Sequence, residues 1–347
     1  MADSTIRVGV IGAGWFASRR HCPDIQKSPG ARLTALCRRD PEKLRTMAEH
    51  FQAAHTFTDY RELVASGTVD GVVICSPHSL HYEHGRAALE AGLHVLMEKP
   101  LTLDAAQARE LVELARRRGL ALLVAQNPPF WNHCRYLREV IHRGEIGEIE
   151  AAEIHWVGNV EAVFGVVPLP ASLPGVVPPT LFRHDPTLNG GGYFVDGGSH
   201  LVCELVWCTG LQVTEVSALM DHPEWDLCSA VTLRMSNGAM ATITSTPTSK
   251  IFDKRIHSLY FGTAGTGFLR GMPFEVSIER PRAATVRLTE KELPPAPTPL
   301  ANWLDCIRGR AQPELSGETA VHIVEVLAAS YQAAKSGRKV TWAAGSP

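Results

Sequence analysis

The sequence predicts a two-domain α/β protein, a doubly wound parallel sheet followed by an α+β half rich in antiparallel strands. Three observations carry that prediction. The first third of the 347 residues alternates short apolar runs with helix-like segments, the rhythm of a parallel sheet wrapped by helices. After Gln126 the rhythm changes to strand-like runs joined by turns, with Asn237-Gly238 as a strong hairpin signal. The length itself favours two domains over one. The boundary is expected at Gln126, giving residues 1–126 and 127–347.

Taken in order, Ile6–Ile11 reads as a buried strand and Trp15–Gln26 as a helix. Leu33–Cys37 is the second strand, and Pro41–Phe51 a helix with proline at its start, where a missing N–H costs nothing. Tyr60–Ala65 is a short helix, Gly71–Cys75 a buried strand, and His81–Ala91 a helix closed by Gly92. His94–Met97, the helix Thr102–Arg118 (capped by Thr102 or Asp104, ended by Gly119) and Leu120–Ala125 complete the first half. The second half opens with a helix at Arg135–Arg143 and a long strand at Ile149–Val157. Strands follow at Thr214–Met220, Ala230–Met235, Met240–Thr246, His257–Gly262, Thr266–Arg270, Glu275–Arg280 and Thr285–Leu288. Helices at Pro299–Gly309 and Gly317–Ser336 close the chain. The proline-rich stretch Gly158–Asn189 has little periodicity but much apolar content, so it reads as a functional segment and not a solvated tether.

Bulk composition narrows the function classes. Apolar content of 45% and charged content of 20% are ordinary for a soluble protein. A formal net charge of -2 leaves no footprint for nucleic acid or an anionic membrane. No apolar run approaches the roughly 18 residues of a membrane span, and Met1-Ala-Asp-Ser-Thr5 lacks an export signal. Eight scattered cysteines without a C-x-x-C pair fit free thiols in a reducing cytoplasm.

The chemistry is concentrated in four stretches. Gly12-x-Gly14-x-x-Ala17 follows the first strand and opens a helix. Gly12 permits the tight turn, Gly14 lets a pyrophosphate approach the backbone, and Ala17 allows close helix–strand packing. The N–H groups of the first helical residues, Trp15, Phe16 and Ala17, then face the phosphates. The second stretch, Ser76-Pro77-His78-Ser-Leu-His81, ends a strand and so faces the same ligand. His78, His81 and His84 stand three apart, a spacing that raises a metal site. No carboxylate or cysteine completes it, and packing or capping is the simpler reading. The third, Glu98-Lys99-Pro100, ends the next strand, placing Lys99 at a dinucleotide cleft with its pKa open to lowering. The fourth runs Gly190-Gly-Gly-Tyr-Phe-Val-Asp196-Gly-Gly-Ser-His200, where a helix would put Asp196 and His200 on one face. Gly262-Thr-Ala-Gly-Thr-Gly267 lacks the Lys-Ser/Thr of a phosphate loop and reads as a strand turn.

Together these motifs, with Gln126-Asn127, Arg183-His-Asp-Pro and the closing Ser316-Gly-Glu-Thr-Ala…Tyr331…Ser336-Gly337, resemble the glucose–fructose oxidoreductase and inositol dehydrogenase family, Gfo/Idh/MocA. The resemblance spans nearly the whole chain. It implies an N-terminal Rossmann domain and a C-terminal domain with an open, mostly antiparallel sheet, whose face commonly forms the oligomer interface. It implies that Lys99, Asp196 and His200 line the substrate pocket as catalytic residues. The cofactor set is then Gly12, Gly14, Trp15, Phe16, Ala17, Arg38, Arg39, Ser76, Pro77, His81, Glu98, Lys99 and Gln126, with no metal. The reaction expected is hydride transfer between a nicotinamide and a carbinol or ketone of a sugar, cyclitol or similar polyhydroxylated small molecule. The alternative is a lyase, epimerase or glycosidase whose tightly held cofactor is oxidised and reduced in turn. A homodimer or homotetramer is expected.

Two departures from the family pattern matter. Cys37-Arg38-Arg39-Asp40 stands where many members carry an acid for the adenosine ribose. Arginine there suits a 2′-phosphate, so NADP is expected over NAD, with Asp40 as a competing ribose partner. Pro129 also replaces the arginine of the common Gln-Asn-x-Arg-Phe run.

Overall fold

A computed structural model describes residues 4–250 and 255–342. Residues 1–3, the beginning of the stretch read for an export signal, lie outside the described residues. The chain forms two compact units: Met1–Ala125 with Val167–Asn189 and Pro297–Val321, and Gln126–Val166 with Gly190–Ala296 and His322–Pro347.

The first unit is built on six parallel strands: β1 (Ile6–Ile11), β2 (Ala31–Cys37), β3 (His55–Phe57), β4 (Gly71–Ile74), β5 (His94–Met97) and β6 (Leu122–Val124). Their order is β3-β2-β1-β4-β5-β6. The chain runs outward one way from β1 and the other way from β4, so the order reverses between those neighbours. Helices on both faces explain why β4 is buried at every position. Most expected elements stand where the apolar periodicity puts them, with Asp104 the cap that accepts from Gln107 N at 2.9 Å.

Two expectations need correction. The helix expected over Trp15–Gln26 is two helices, Trp15–Arg19 and His21–Lys27, broken at Arg20. Pro23 has no N–H for the carbonyl four residues back, and its ring crowds that carbonyl. The edge strand β3 was not expected. His55 and Thr56 are exposed, so no apolar run marks it.

The second unit carries nine strands: β7 (Ile149–Val157), β8 (Val213–Met220), β9 (Ser229–Met235), β10 (Met240–Thr246), β11 (Arg255–Gly262), β12 (Gly265–Gly271), β13 (Glu275–Glu279), β14 (Val286–Thr289) and β15 (Val340–Thr341). Their order is β14-β13-β12-β11-β7-β10-β9-β8-β15. Among these neighbours β7 and β10 alone run parallel, so the sheet is mostly antiparallel as expected. Strict in–out burial along β9 shows one covered face and one open face. Gly262 and Gly265 pair across a tight β11–β12 turn, which makes the glycine-rich run Gly262–Gly267 a hairpin, as its lack of a following lysine predicts.

Candidate functional site

The first unit presents a glycine turn at the carboxyl end of β1, beside the reversal of strand order where open α/β sheets bind ligands. Gly12 sits at φ +80°, and a Cβ there would stand 2.5 Å from Ser76 N, so no other residue fits. Gly12 N and Ala13 N both donate to Cys37 O at 3.0 Å, tying the turn to the end of β2. A Cβ on Gly14 would meet only Arg38 Nη1, at 3.1 Å, and Gly12 O, at 3.7 Å. Approach to the Gly14 backbone is therefore limited only by the Arg38 side chain, and Ala17 is fully buried. The helix Trp15–Arg19 is a single turn. A phosphate here would rely on the unbonded N–H groups of its start more than on a helix dipole.

Arg38 extends from the end of β2 back across this turn. Its Nη1 donates to Ala13 O at 3.1 Å, and its Nε is buried without an acceptor among the described residues. Arg39 is exposed. Asp40, the expected competitor for a ribose, is engaged elsewhere: it caps the helix Pro41–Phe51, accepting Lys43 N at 3.0 Å, and pairs with Lys43 Nζ at 2.7 Å. The hydrogen bonds from Lys43 hold its carboxyl below the usual aspartate range.

The turns after β4 and β5 are bound to one another by a histidine. His81, fully buried, places Nδ1 2.7 Å from Pro100 O and Nε2 3.0 Å from Ser76 O. Burial nevertheless holds its pKa below the ordinary histidine value. His84 meets Ser76 Oγ at 3.0 Å and His78 meets Asn189 O at 2.9 Å. The three histidines thus tie this turn to its neighbours. Glu98 follows β5 and pairs with His21 at 2.7 Å. Burial pushes the Glu98 carboxyl up, but His21 and the neighbouring Lys99 pull it below the usual glutamate range. Lys99 comes next, half-buried, with its backbone N–H on Glu98 Oε2 at 3.2 Å.

The second unit holds Gln126, Asp196 and His200. Phe194–Gly198 forms a π turn that runs directly into the helix Ser199–Thr209. The conditional helix of the sequence reading is present, but Asp196 lies in its wide first turn, a form that often marks functional sites. Glycines make the turn possible, since a Cβ on Gly197 would stand 2.2 Å from the Tyr193 ring. Asp196 is 8% exposed. His200 lies against Asn127, with Asn127 N 3.4 Å from Nδ1 and the side-chain amide 3.3 Å from Nε2. Trp131 is 6.3 Å away, ring to ring. Gln126 is buried, and its Oε1 has no donor among the described residues. Where the family's arginine is replaced, Arg135 Nη1 donates to Pro129 O at 2.9 Å.

Sequence reasoning missed the device that holds this turn. Tyr331 Oη donates to Asp226 Oδ1 at 2.5 Å and accepts from both Gly192 N and Val195 N at 3.1 Å. Asp226 Oδ2 accepts Phe194 N at 2.9 Å, and its carbonyl accepts Tyr193 N at 2.7 Å. A Cβ on Gly192 would stand 1.8 Å from Asp226 O, which explains the glycine run. Burial raises the Asp226 carboxyl to about 6 against the donors on it. Tyr331 belongs to the closing motif, but Asp226 sits in a β8–β9 loop that no pattern marks.

With this geometry in place, comparisons decide the family. The model described as "Oxidoreductase family, NAD-binding Rossmann fold" matches residues 6–126, and the GFO/IDH/MocA C-terminal domain matches 134–266. The chain belongs to the Gfo/Idh/MocA oxidoreductases. It is 31% identical over 210 residues to the D-glucoside 3-dehydrogenase of Escherichia coli, covering 60% of this chain and 56% of that one. It is 41% identical over 148 residues to a dTDP-3,4-didehydro-2,6-dideoxy-alpha-D-glucose 3-reductase of Streptomyces violaceoruber, covering 42% of each. The chain therefore spans about half the length of these two relatives. The WlbA dehydrogenase of Bordetella pertussis, solved with NADH and UDP-GlcNAcA, shares the fold at a TM-score of 0.80 with 22% identity, covering 98% of this chain and 99% of that one. Among the described residues no helix is long and apolar enough to cross a membrane. The protein is an enzyme of the dehydrogenase/reductase class.

Proposed function

We propose that this enzyme transfers hydride between NADP(H) and a carbinol or ketone of a sugar, cyclitol or related polyhydroxylated molecule. The observation that carries the reading is the backbone approach at Gly14, framed by Gly12 and Arg38 at the switch point of the sheet. When bound, the nicotinamide supplies the hydride acceptor or donor. The residues that would hold the dinucleotide are Gly12, Gly14, Trp15, Phe16 and Ala17 at the phosphates, Arg38 and Arg39 at the adenosine end, and Ser76, Pro77, His81, Glu98, Lys99 and Gln126 further along. Arg38 has an unused donor and Asp40 is already engaged, which supports a 2′-phosphate over a free ribose.

Carbinol oxidation must also release a hydroxyl proton. Lys99 and His200 are the pair we assign to it, and Asp196 the group that fixes hydroxyl orientation. Residues 1–126 serve the cofactor and 127–347 the substrate and the oligomer. Leu219, Met240 and Phe261, exposed at 78%, 56% and 39% on β8, β10 and β11, favour a homo-oligomer through the open sheet face. Eight free cysteines favour a reducing cytoplasm.

One observation favours a second reading, a lyase, epimerase or glycosidase with retained cofactor: the segment 167–189 is seated on the nucleotide turn. A screen of polyols and keto-sugars with both cofactors, followed at 340 nm, tests the choice. Stoichiometric change in reduced cofactor supports net redox. Product formed with no net change supports the second reading, and no product with either cofactor overturns both.

A further inference from the structure

The segment 167–189 groups with the dinucleotide unit and is pinned to it at two places. At one end, Trp15 Nε1 donates to Pro174 O at 2.8 Å and Val176 N donates to Ser18 Oγ at 3.1 Å. Gly175 lies between them at φ +143°, so close that a Cβ would stand 2.7 Å from the Trp15 ring. At the other end, His78 Nδ1 donates to Asn189 O at 2.9 Å, and the His78 ring meets Phe182 edge-on at 5.4 Å. Trp15 and Ser18 lie in the helix that follows β1, and His78 in the turn that follows β4. Those two strands are neighbours in the sheet, and the strand order reverses between them. A chain fixed after β1 at Val176 and after β4 at Asn189 must run from one side of the switch point to the other.

From this path we infer that residues 167–189 form a strap across the dinucleotide crevice, and that the strap governs how fast the nicotinamide cofactor enters and leaves. The inference rests on the proposed cofactor reading and adds a kinetic property to it. The strap is ordered by side chains of the nucleotide turn itself, Trp15 and Ser18, so a ligand bound against that turn shares its support. Each anchor includes hydrogen bonds of ordinary strength, which can break and re-form as a segment opens and closes.

The test is cofactor exchange. Protein loaded with NADPH is mixed with excess NADP, and loss of tryptophan-to-NADPH energy transfer gives the dissociation rate. The variant Ser18→Ala/His78→Phe removes one bond at each anchor while keeping volume, and Gly175→Ala forces the strap off Trp15 by a different route. Two ordinary hydrogen bonds predict roughly tenfold faster release or more in the double variant. Gly175→Ala should shift the rate in the same direction. In the wild type, the Val176 amide should exchange with solvent more slowly when NADPH is bound. Release rates in both variants within about twofold of wild type, with Val176 exchange indifferent to NADPH, overturn the strap. A wild-type chain that binds neither NADPH nor NADH overturns the cofactor reading beneath it, a result separate from binding with unaltered exchange.

Discussion

Glu98 in the dinucleotide unit and Asp226 in the second unit are both buried acids beside proposed catalytic residues, yet they are held in opposite ways. Glu98, with 13% of its side chain exposed, faces an imidazole at 2.7 Å and follows into Lys99. Those partners outweigh desolvation and keep its pKa below the usual range. Asp226 faces a phenol and a backbone N–H, which are dipoles and not charges, and burial wins, raising it to about 6. Glu204, on the helix Ser199–Thr209, repeats the second pattern. Tyr260 Oη donates to it at 3.0 Å, and burial raises it to about 7. Dipoles satisfy lone pairs, but a charge partner is what keeps a buried acid ionised.

The largest expected effect comes from the charged region. Lys99→Ala should lower kcat by about 10²–10⁴-fold, a larger loss than any it causes in cofactor affinity. Lys99→Arg sharpens the result, because arginine keeps a cation beside Glu98 but cannot give up its proton. If the arginine variant turns over within a few-fold of wild type, Lys99 acts by its charge alone.

Breaking the pair comes next. His21→Ala leaves the Glu98 carboxylate buried without its 2.7 Å partner and should cost about 3–5 kcal/mol in urea unfolding. His21→Gln restores a donor without a charge. Recovery of most of the stability by glutamine would erase the distinction between charge and dipole drawn here.

A third test addresses the dipole-held acids. Glu204 binds its proton more tightly folded than unfolded, so its contribution is fully present below about pH 4.5 and is lost as pH rises through about 7. At about 1.4 kcal/mol per pH unit, that interval is worth on the order of 3 kcal/mol. Glu204→Gln should therefore gain on wild type as pH rises from 5 to 7.5, with Asp226 left to supply a smaller slope of the same sign. Parallel stability curves for the two proteins over that range would show that Glu204 is ionised throughout.

How much of this was legible in advance follows from what each feature depends on. The strand Ile6–Ile11 and the helix Pro41–Phe51 were read to the residue, because a local apolar run and an N-terminal proline specify them. The glycine turn was legible because φ +80° at Gly12 admits little else. β3 was missed because an edge strand of three residues needs no apolar run. The break at Arg20 was missed although Pro23 signalled it. Asp226 was invisible because its partners are backbone groups of residues 32 and 33 positions away and a phenol 105 away. The path of residues 167–189 was likewise set by contacts to Trp15 and Ser18, more than 150 positions back, which no local pattern encodes.

The smallest expected effect concerns Arg38, which completes the contrast from the opposite sign. It is a half-buried cation whose charge is met by no carboxylate in direct contact among the described residues: Nη1 rests on the Ala13 carbonyl, Nε has no acceptor among those residues, and Asp40 is turned to Lys43. Burial lowers its pKa, with the Asp40 charge opposing from a distance. A cation held this way gains most from a ligand that brings its own negative charge, and the 2′-phosphate is the part that distinguishes NADP from NAD. An arginine–phosphate pair is worth about 1.5–3 kcal/mol, so Arg38→Ala should weaken NADPH binding roughly tenfold or more. NADH binding should change much less, because the two cofactors share every other contact. Fluorescence titration of both cofactors on wild type and variant measures the four affinities needed. Equal losses for the two would make Arg38 a support for the glycine turn through Ala13. A wild-type preference for NADH would remove the 2′-phosphate assignment altogether.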